Sequence, residues 1–264
     1  MTDKEFRMPS KPGINKVSPV PSWESYAGFS YLFDNPNPQS NLQNNDGLLL
    51  LNNQVHLDDN ITLYHSLSQC VQRIGGDDLI NKYLFFPLPP STYHLTIWDG
   101  VNIENKNDLS EEGQNLFSSF FKNPRSLNKL DNLLVTNTFN EILKLYEGIE
   151  LRFKNLRLGG STVLLAELEP VDIKSQEKLN LLIKERRRLD DEYHTKYNKP
   201  YNSIYIPHIA LGYYSNIELC ERSWKAQSFE WIDIFEKLMQ GSKIEYKSIS
   251  LYGFSDMLTY FKQA

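Results

Sequence analysis

Two histidines, His94 and His208, stand 114 positions apart, each inside a short apolar run: Tyr93-His94-Leu95-Thr96-Ile97 and Pro207-His208-Ile209-Ala210-Leu211. An imidazole titrates at about pH 6.5, so near neutrality one member of a pair can take a proton while the other gives one. Displacement at a phosphodiester needs that division of labour. A base deprotonates water on one side of phosphorus, and an acid protonates the departing sugar oxygen on the other. Both runs look like strands, whose side chains alternate between two faces. His94, Thr96 and Trp98 are therefore expected on one face, and His208 with Ala210 on the matching face of the other strand.

The elements that must bring these strands together occur twice. Gly28 to Phe33 is aromatic enough for a first strand, and a polar loop follows through Asn45. Leu48 to Leu51 and Gln54 to Leu57 flank Asn52-Asn53, the pattern of a hairpin. Residues 60 to 74 carry apolar positions at helical spacing and end at Gly75-Gly76. Lys82 to Phe86, a Pro-rich turn, and a strand from Thr92 to Trp98 bearing His94 complete the first unit. Asp108 with Glu111 has capping-box spacing ahead of a middle helix, and Leu130 to Tyr146 marks another. The order then repeats: a hairpin from Ile149 to Leu156 and Ser161 to Glu169, a long helix from about Lys174 to Tyr197, and a strand from Ser203 to Leu211 bearing His208. A helix with Trp224, Trp231 and Leu238 and one alternating strand from Lys243 to Phe254 close the chain. The expectation is an α+β fold of two pseudo-symmetric lobes, each with a small antiparallel sheet facing a central cleft and helices outside. Residues 1 to 25, with Pro9, Pro12, Pro19 and Pro21, read as a tail that packs over the body or stays mobile, and 26 to 264 as one bilobal domain.

His94-Leu95-Thr96-Ile97 resembles the His-apolar-Thr/Ser-apolar motif of the two-histidine (2H) phosphoesterase superfamily, the LigT-like cyclic phosphodiesterases. His208-Ile209-Ala210-Leu211 resembles an altered second copy, and Leu88 to Val101 is similar to a bacterial branch of unassigned substrate. The resemblance implies metal-independent hydrolysis of a cyclic phosphate, with His94 and His208 as acid and base in an order the sequence leaves open. It also gives Thr96 the role of donating its hydroxyl to a non-bridging phosphate oxygen. Ala210 departs from the pattern and cannot donate. Arg152 and Lys154, alternating onto one face of a strand expected beside His208, are candidates to replace it. Trp98 is a candidate for stacking a nucleobase. Tyr213 and Tyr214 follow the second motif; Gly212 interrupts the alternation, and Tyr213 is carried as the candidate for substrate contact.

Composition narrows the partners. The chain of 264 residues is 40% hydrophobic, enough to bury a substantial core, and its net charge of −5 argues against coating long duplex nucleic acid through phosphate neutralisation. A nucleotide or an exposed RNA end is the expected substrate, and a monomer the expected state. Cys70 and Cys220 have neither disulfide-framework nor zinc-site spacing, which fits a reducing cytoplasm. No apolar run reaches the length of a membrane span, and the N-terminus lacks an apolar leader core. No cofactor is implied. His56, His65 and His194 fall at no metal-ligating spacing, and His194 is expected at the surface. Lys184 to Arg188 reads as the solvated face of the long helix, balanced by Asp190, Asp191 and Glu192. Gly159-Gly160 is a hairpin turn, with no phosphate-loop Lys-Ser/Thr after it. Alternatives to the cyclic phosphodiesterase are a hydrolase of a signalling cyclic nucleotide or a 2′-5′ oligonucleotide, a nucleotide-binding module whose turnover ended with the second hydroxyl, and a protein-interaction domain without nucleotide affinity.

Overall fold

The computed structural model describes residues 16–17, 22–36, 42–43, 47–53, 62–127, 130, 138–145, 148–160, 162–202 and 204–263. The strands are β1 (Gly28–Phe33), β2 (Leu42–Gln43), β3 (Leu48–Leu50), β4 (Phe85–Pro87), β5 (Thr96–Asn102), β6 (Ile149–Gly159), β7 (Val163–Pro170), β8 (His208–Tyr214), β9 (Lys243–Tyr246), β10 (Ile249–Phe254) and β11 (Tyr260–Gln263). The helices are α1 (Thr62–Arg73), α2 (Gly76–Tyr83), α3 (Glu111–Lys122), α4 (Thr138–Leu145), α5 (Ile173–Tyr197) and α6 (Ile217–Leu238). Two sheets form, in the orders β2-β3-β11-β10-β1-β5 and β4-β8-β7-β6-β9, with antiparallel pairing throughout. The α+β class with two antiparallel sheets is thus the observed architecture.

The sheets are not the two halves of the chain. β1 is buried along its whole length because it lies between β5 and β10, a partner from the far end of the sequence. β4 leaves the first half to cover the β8 edge, and β9 joins β6. The single strand expected from Lys243 to Phe254 is two strands, β9 and β10, one in each sheet. The alternation slips by one position at Lys247-Ser248, two polar residues in succession between Tyr246 and Ile249, and the strand divides there.

Other boundaries move for identifiable reasons. Gly75, at φ 100, ends α1 as expected, but α2 starts at once and carries Lys82 and Tyr83, so only Phe85–Pro87 is strand. The cap of α3 is Ser110, whose hydroxyl accepts from Gly113 N at 3.2 Å, two positions after the expected Asp108. The long helix matches its expected extent: Asp172 caps it by accepting from Ser175 N at 2.7 Å, and Asn198, left-handed at φ 54, ends it. The second arm of the expected hairpin, 54 to 57, lies outside the described residues, as do 131 to 137 of the expected middle helix. At the start of the chain, Val17 is buried and bridges Trp23, so this part of the Pro-rich segment packs on the body.

Candidate active site

His208 lies in a strand as expected, paired with Glu167, whereas His94 lies just outside one. His94 precedes β5 by two residues, after a 3-10 turn at Pro90–Thr92, and His208 is the first residue of β8. Their local bonding is the same. His94 Nδ1 donates to the carbonyl of Thr92 at 2.8 Å, and His208 Nδ1 to that of Ile206 at 2.7 Å, each two residues upstream. A carbonyl oxygen only accepts, so both rings carry hydrogen on Nδ1 and keep Nε2 for the cleft they line together.

The strands repeat the likeness through a bulge. Tyr31 pairs with Trp98 and Leu32 with Thr96, leaving Ile97 without a partner on β1; Leu164 pairs with Gly212 and Leu165 with Ala210, leaving Leu211 without one on β7. Each extra residue lies three positions after its histidine and resets the alternation. The cleft therefore receives Thr96 and Asp99 from β5, and Ala210 and Tyr213 from β8. The irregularity further along β5 returns Asn102 to the same face.

The bulge overturns the placement of Trp98. Its side chain is fully buried, packs on Phe29, Tyr31 and Tyr193, and donates Nε1–H to Asp190 at 3.0 Å. It cannot stack a ligand in the cleft. Tyr213 does line the cleft, whereas Tyr214 is buried with its hydroxyl beside Ser223 at 3.1 Å. Arg152 and Lys154 are displaced as well. Their strand, β6, is separated from β8 by β7, and they pair with Glu169 at 2.8 Å and Glu167 at 2.7 Å. Neither contributes to the cleft lining.

Sequence reasoning missed Arg186, Lys16, Asp99 and Asn102, all of which line the cleft. Arg186 belongs to the run read as a solvated helix face, yet it is buried over the ring of Tyr205, 5.4 Å from the ring centre; its neighbour Arg188 does pair outward with Glu185 and Glu192. Asp190, counted there as a surface counter-charge, is buried too. Lys16 comes from the Pro-rich segment, with its ammonium 4.6 Å over the Tyr26 ring and 5.1 Å over the Tyr213 ring. The five-residue spacing from His94 to Asp99, matched by His208 to Tyr213, was the available signal for Asp99.

The segment between α5 and β8 ties the motifs to each other. Tyr205 donates its hydroxyl to the Thr96 carbonyl at 2.9 Å, and Asn202 donates to the Asp99 carbonyl at 2.9 Å. Asp190 accepts from Trp98, from Lys199 at 3.3 Å and from Asn202 at 2.9 Å, joining β5, α5 and this segment.

His94 is held neutral. Burial, with the ring of Tyr260 4.4 Å away, lowers its pKa to about 4, and the charges of Lys16 and His208 act in the same direction. The remaining histidines stand apart: His65 contacts Gln69, His194 is half-buried on the Lys199 carbonyl and stacks on Tyr201, and His56 lies outside the described residues. Among the described residues no group of three or more His, Cys, Asp or Glu could hold a metal ion. No helix among them is long and apolar enough to cross a membrane.

The chain is similar in fold to the crystal structure of ATU0111 from Agrobacterium tumefaciens str. C58, a conserved protein of unknown function. The TM-score is 0.54 at 14% identity, over 97% of this chain and 93% of that one. No protein-family model matches the sequence, and no curated protein does.

Proposed function

We propose that the chain is a metal-independent phosphodiesterase that hydrolyses a cyclic phosphate, a 2′,3′-cyclic nucleotide or RNA end, by two-histidine acid/base catalysis. The observation that carries this reading is the matched anchoring of His94 and His208, each with Nδ1 on the carbonyl two residues before it and Nε2 left for one shared cleft. Because His94 is neutral at pH 7, it is the base: its Nε2 takes a proton from water as the water oxygen bonds to phosphorus. His208, protonated on Nε2, gives that proton to the sugar oxygen as the P–O bond breaks. Thr96 donates to a non-bridging oxygen, and Lys16, over the Tyr213 ring in the same cleft, supplies positive charge in place of the hydroxyl that Ala210 lacks.

The test is turnover of 2′,3′- and 3′,5′-cyclic nucleotides and a 2′-5′ dinucleotide in EDTA, with His94→Ala and His208→Ala run alongside. Metal-free turnover of the 2′,3′ ester, lost in both variants, is the expected result. Ala210 favours one second reading, a binding module that has lost turnover; it predicts nucleotide binding with no product from any member of the panel. A cytoplasmic setting accords with Cys70 and Cys220, both free and buried, with thiols pushed up to about 12 by that burial.

A further inference from the structure

Arg186 lines the cleft and is only 5% exposed. Among the described residues no acceptor lies within hydrogen-bonding distance of its guanidinium: Asp190 Oδ2 is 3.6 Å from Nη1, and the buried Nε has no partner. The other Asp190 oxygen already serves Trp98, Lys199 and Asn202. A guanidinium keeps its charge at any physiological pH, and a buried charge whose donors are unmet is strongly disfavoured. The open side of Arg186 is the cleft, and what matches a planar fork of N–H donors is the paired oxygens of a phosphate.

The cleft holds two cations on different supports: Lys16 over the rings of Tyr26 and Tyr213, and Arg186, from α5, over the ring of Tyr205 and beside Asp190. Tyr205 is itself committed through its hydroxyl to the Thr96 carbonyl. We propose that Arg186 binds a second phosphate of the substrate, so that the preferred substrate is a cyclic phosphate bearing a further phosphate group, either on its own 5′ position or as the preceding linkage of an RNA end. The inference rests on the phosphodiesterase reading for its substrate class, and on the unmet guanidinium alone for the anion site.

The experiment compares kcat/KM of the protein and of Arg186→Gln on a 2′,3′-cyclic nucleotide with a free 5′-hydroxyl, the same compound with a 5′-phosphate, and a dinucleotide ending in the cyclic phosphate. A preference of roughly 10- to 100-fold for one phosphate-bearing probe, abolished by Arg186→Gln with activity on the plain cyclic nucleotide kept, is expected, and the preferred probe identifies the source. No preference, or an equal loss on all three, overturns the proposal. Should nothing turn over, calorimetry still decides. A nucleoside 3′,5′-bisphosphate or a dinucleotide 3′-phosphate is expected to bind more tightly than the nucleoside 3′-monophosphate, and to lose that advantage in Arg186→Gln; equal binding of all three sinks the anion site. Arg186→Met serves as a second variant. Thermal melting of both variants without ligand shows that each is folded where binding is compared, since either one removes the ion pair with Asp190.

Discussion

Trp98 donates its indole N–H to Asp190 at 3.0 Å, and through that bond the strand following the first histidine is fixed to the helix leading to the second. The indole is thus a joint between motifs. Trp98→Phe is expected to cost about 1–3 kcal/mol in denaturant unfolding, from the lost bond to a charged acceptor and the lost packing, while KM for nucleotide stays unchanged. A stacking role in the cleft would instead raise KM with little change in stability.

The depressed pKa of His94 sets the acid side of the activity profile. A base must be neutral, so kcat/KM is expected to fall as the pH drops through about 4, well below the ordinary imidazole value. Stability follows the same sign. The unfolded chain takes up the proton first, so the contribution of neutral His94 is fully present above about pH 6.5 and is lost as pH falls toward 4. Proton NMR of the His94 ring checks both; a midpoint near 6.5 would reject the desolvated base.

Lys16 brings a positive charge into the cleft, whose second motif lacks a hydroxyl. Lys16→Met is expected to lower kcat/KM by roughly 10-fold or more, within the range for loss of an oxyanion donor, and to raise the acid midpoint because its charge presses the His94 pKa down. Ala210→Thr introduced into Lys16→Met is expected to recover part of that loss. If the two substitutions act independently in a double-mutant cycle, the ammonium is not replacing the hydroxyl.

Gly212 follows the bulge in β8, where a Cβ would meet the Phe85 ring and would lie 2.6 Å from the Phe86 carbonyl oxygen. Gly212→Ala is expected to destabilise by about 1–3 kcal/mol through overpacking and to lower turnover by shifting His208 and Tyr213 along their strand. Thermal melting and kinetics on the same sample separate the two effects.

The residues that stand in the cleft were legible where their signal is local. His94, His208 and Thr96 stood out as motifs, β1 as an aromatic run, and α5 as a long periodic segment. Trp98 was misplaced because the bulge at Ile97 arises from pairing with β1, which nothing within the motif encodes. Arg152 and Lys154 went wrong through strand order, since β7 intervenes. Arg186 was hidden among residues that do face solvent; only the packing of α5 against the segment holding Tyr205 separates it from Arg188. Lys16 lay in a proline-rich stretch whose composition gives no reason for order, and its position over Tyr26 and Tyr213 emerges only once the sheets are assembled.

The register of β1 on β10, from Gly28 opposite Phe254 to Phe33 opposite Ile249, bears on how this chain is made. A ribosome releases β1 long before β10, so a strand that the finished fold buries along its whole length waits through most of synthesis with one edge unfilled. Contacts at such separation slow folding, and the nascent first sheet is a natural client for a holding chaperone. A ribosome stalled anywhere before Ile249 would leave a β1 that pairs with its neighbours instead, and premature termination there would yield aggregate rather than a smaller active lobe.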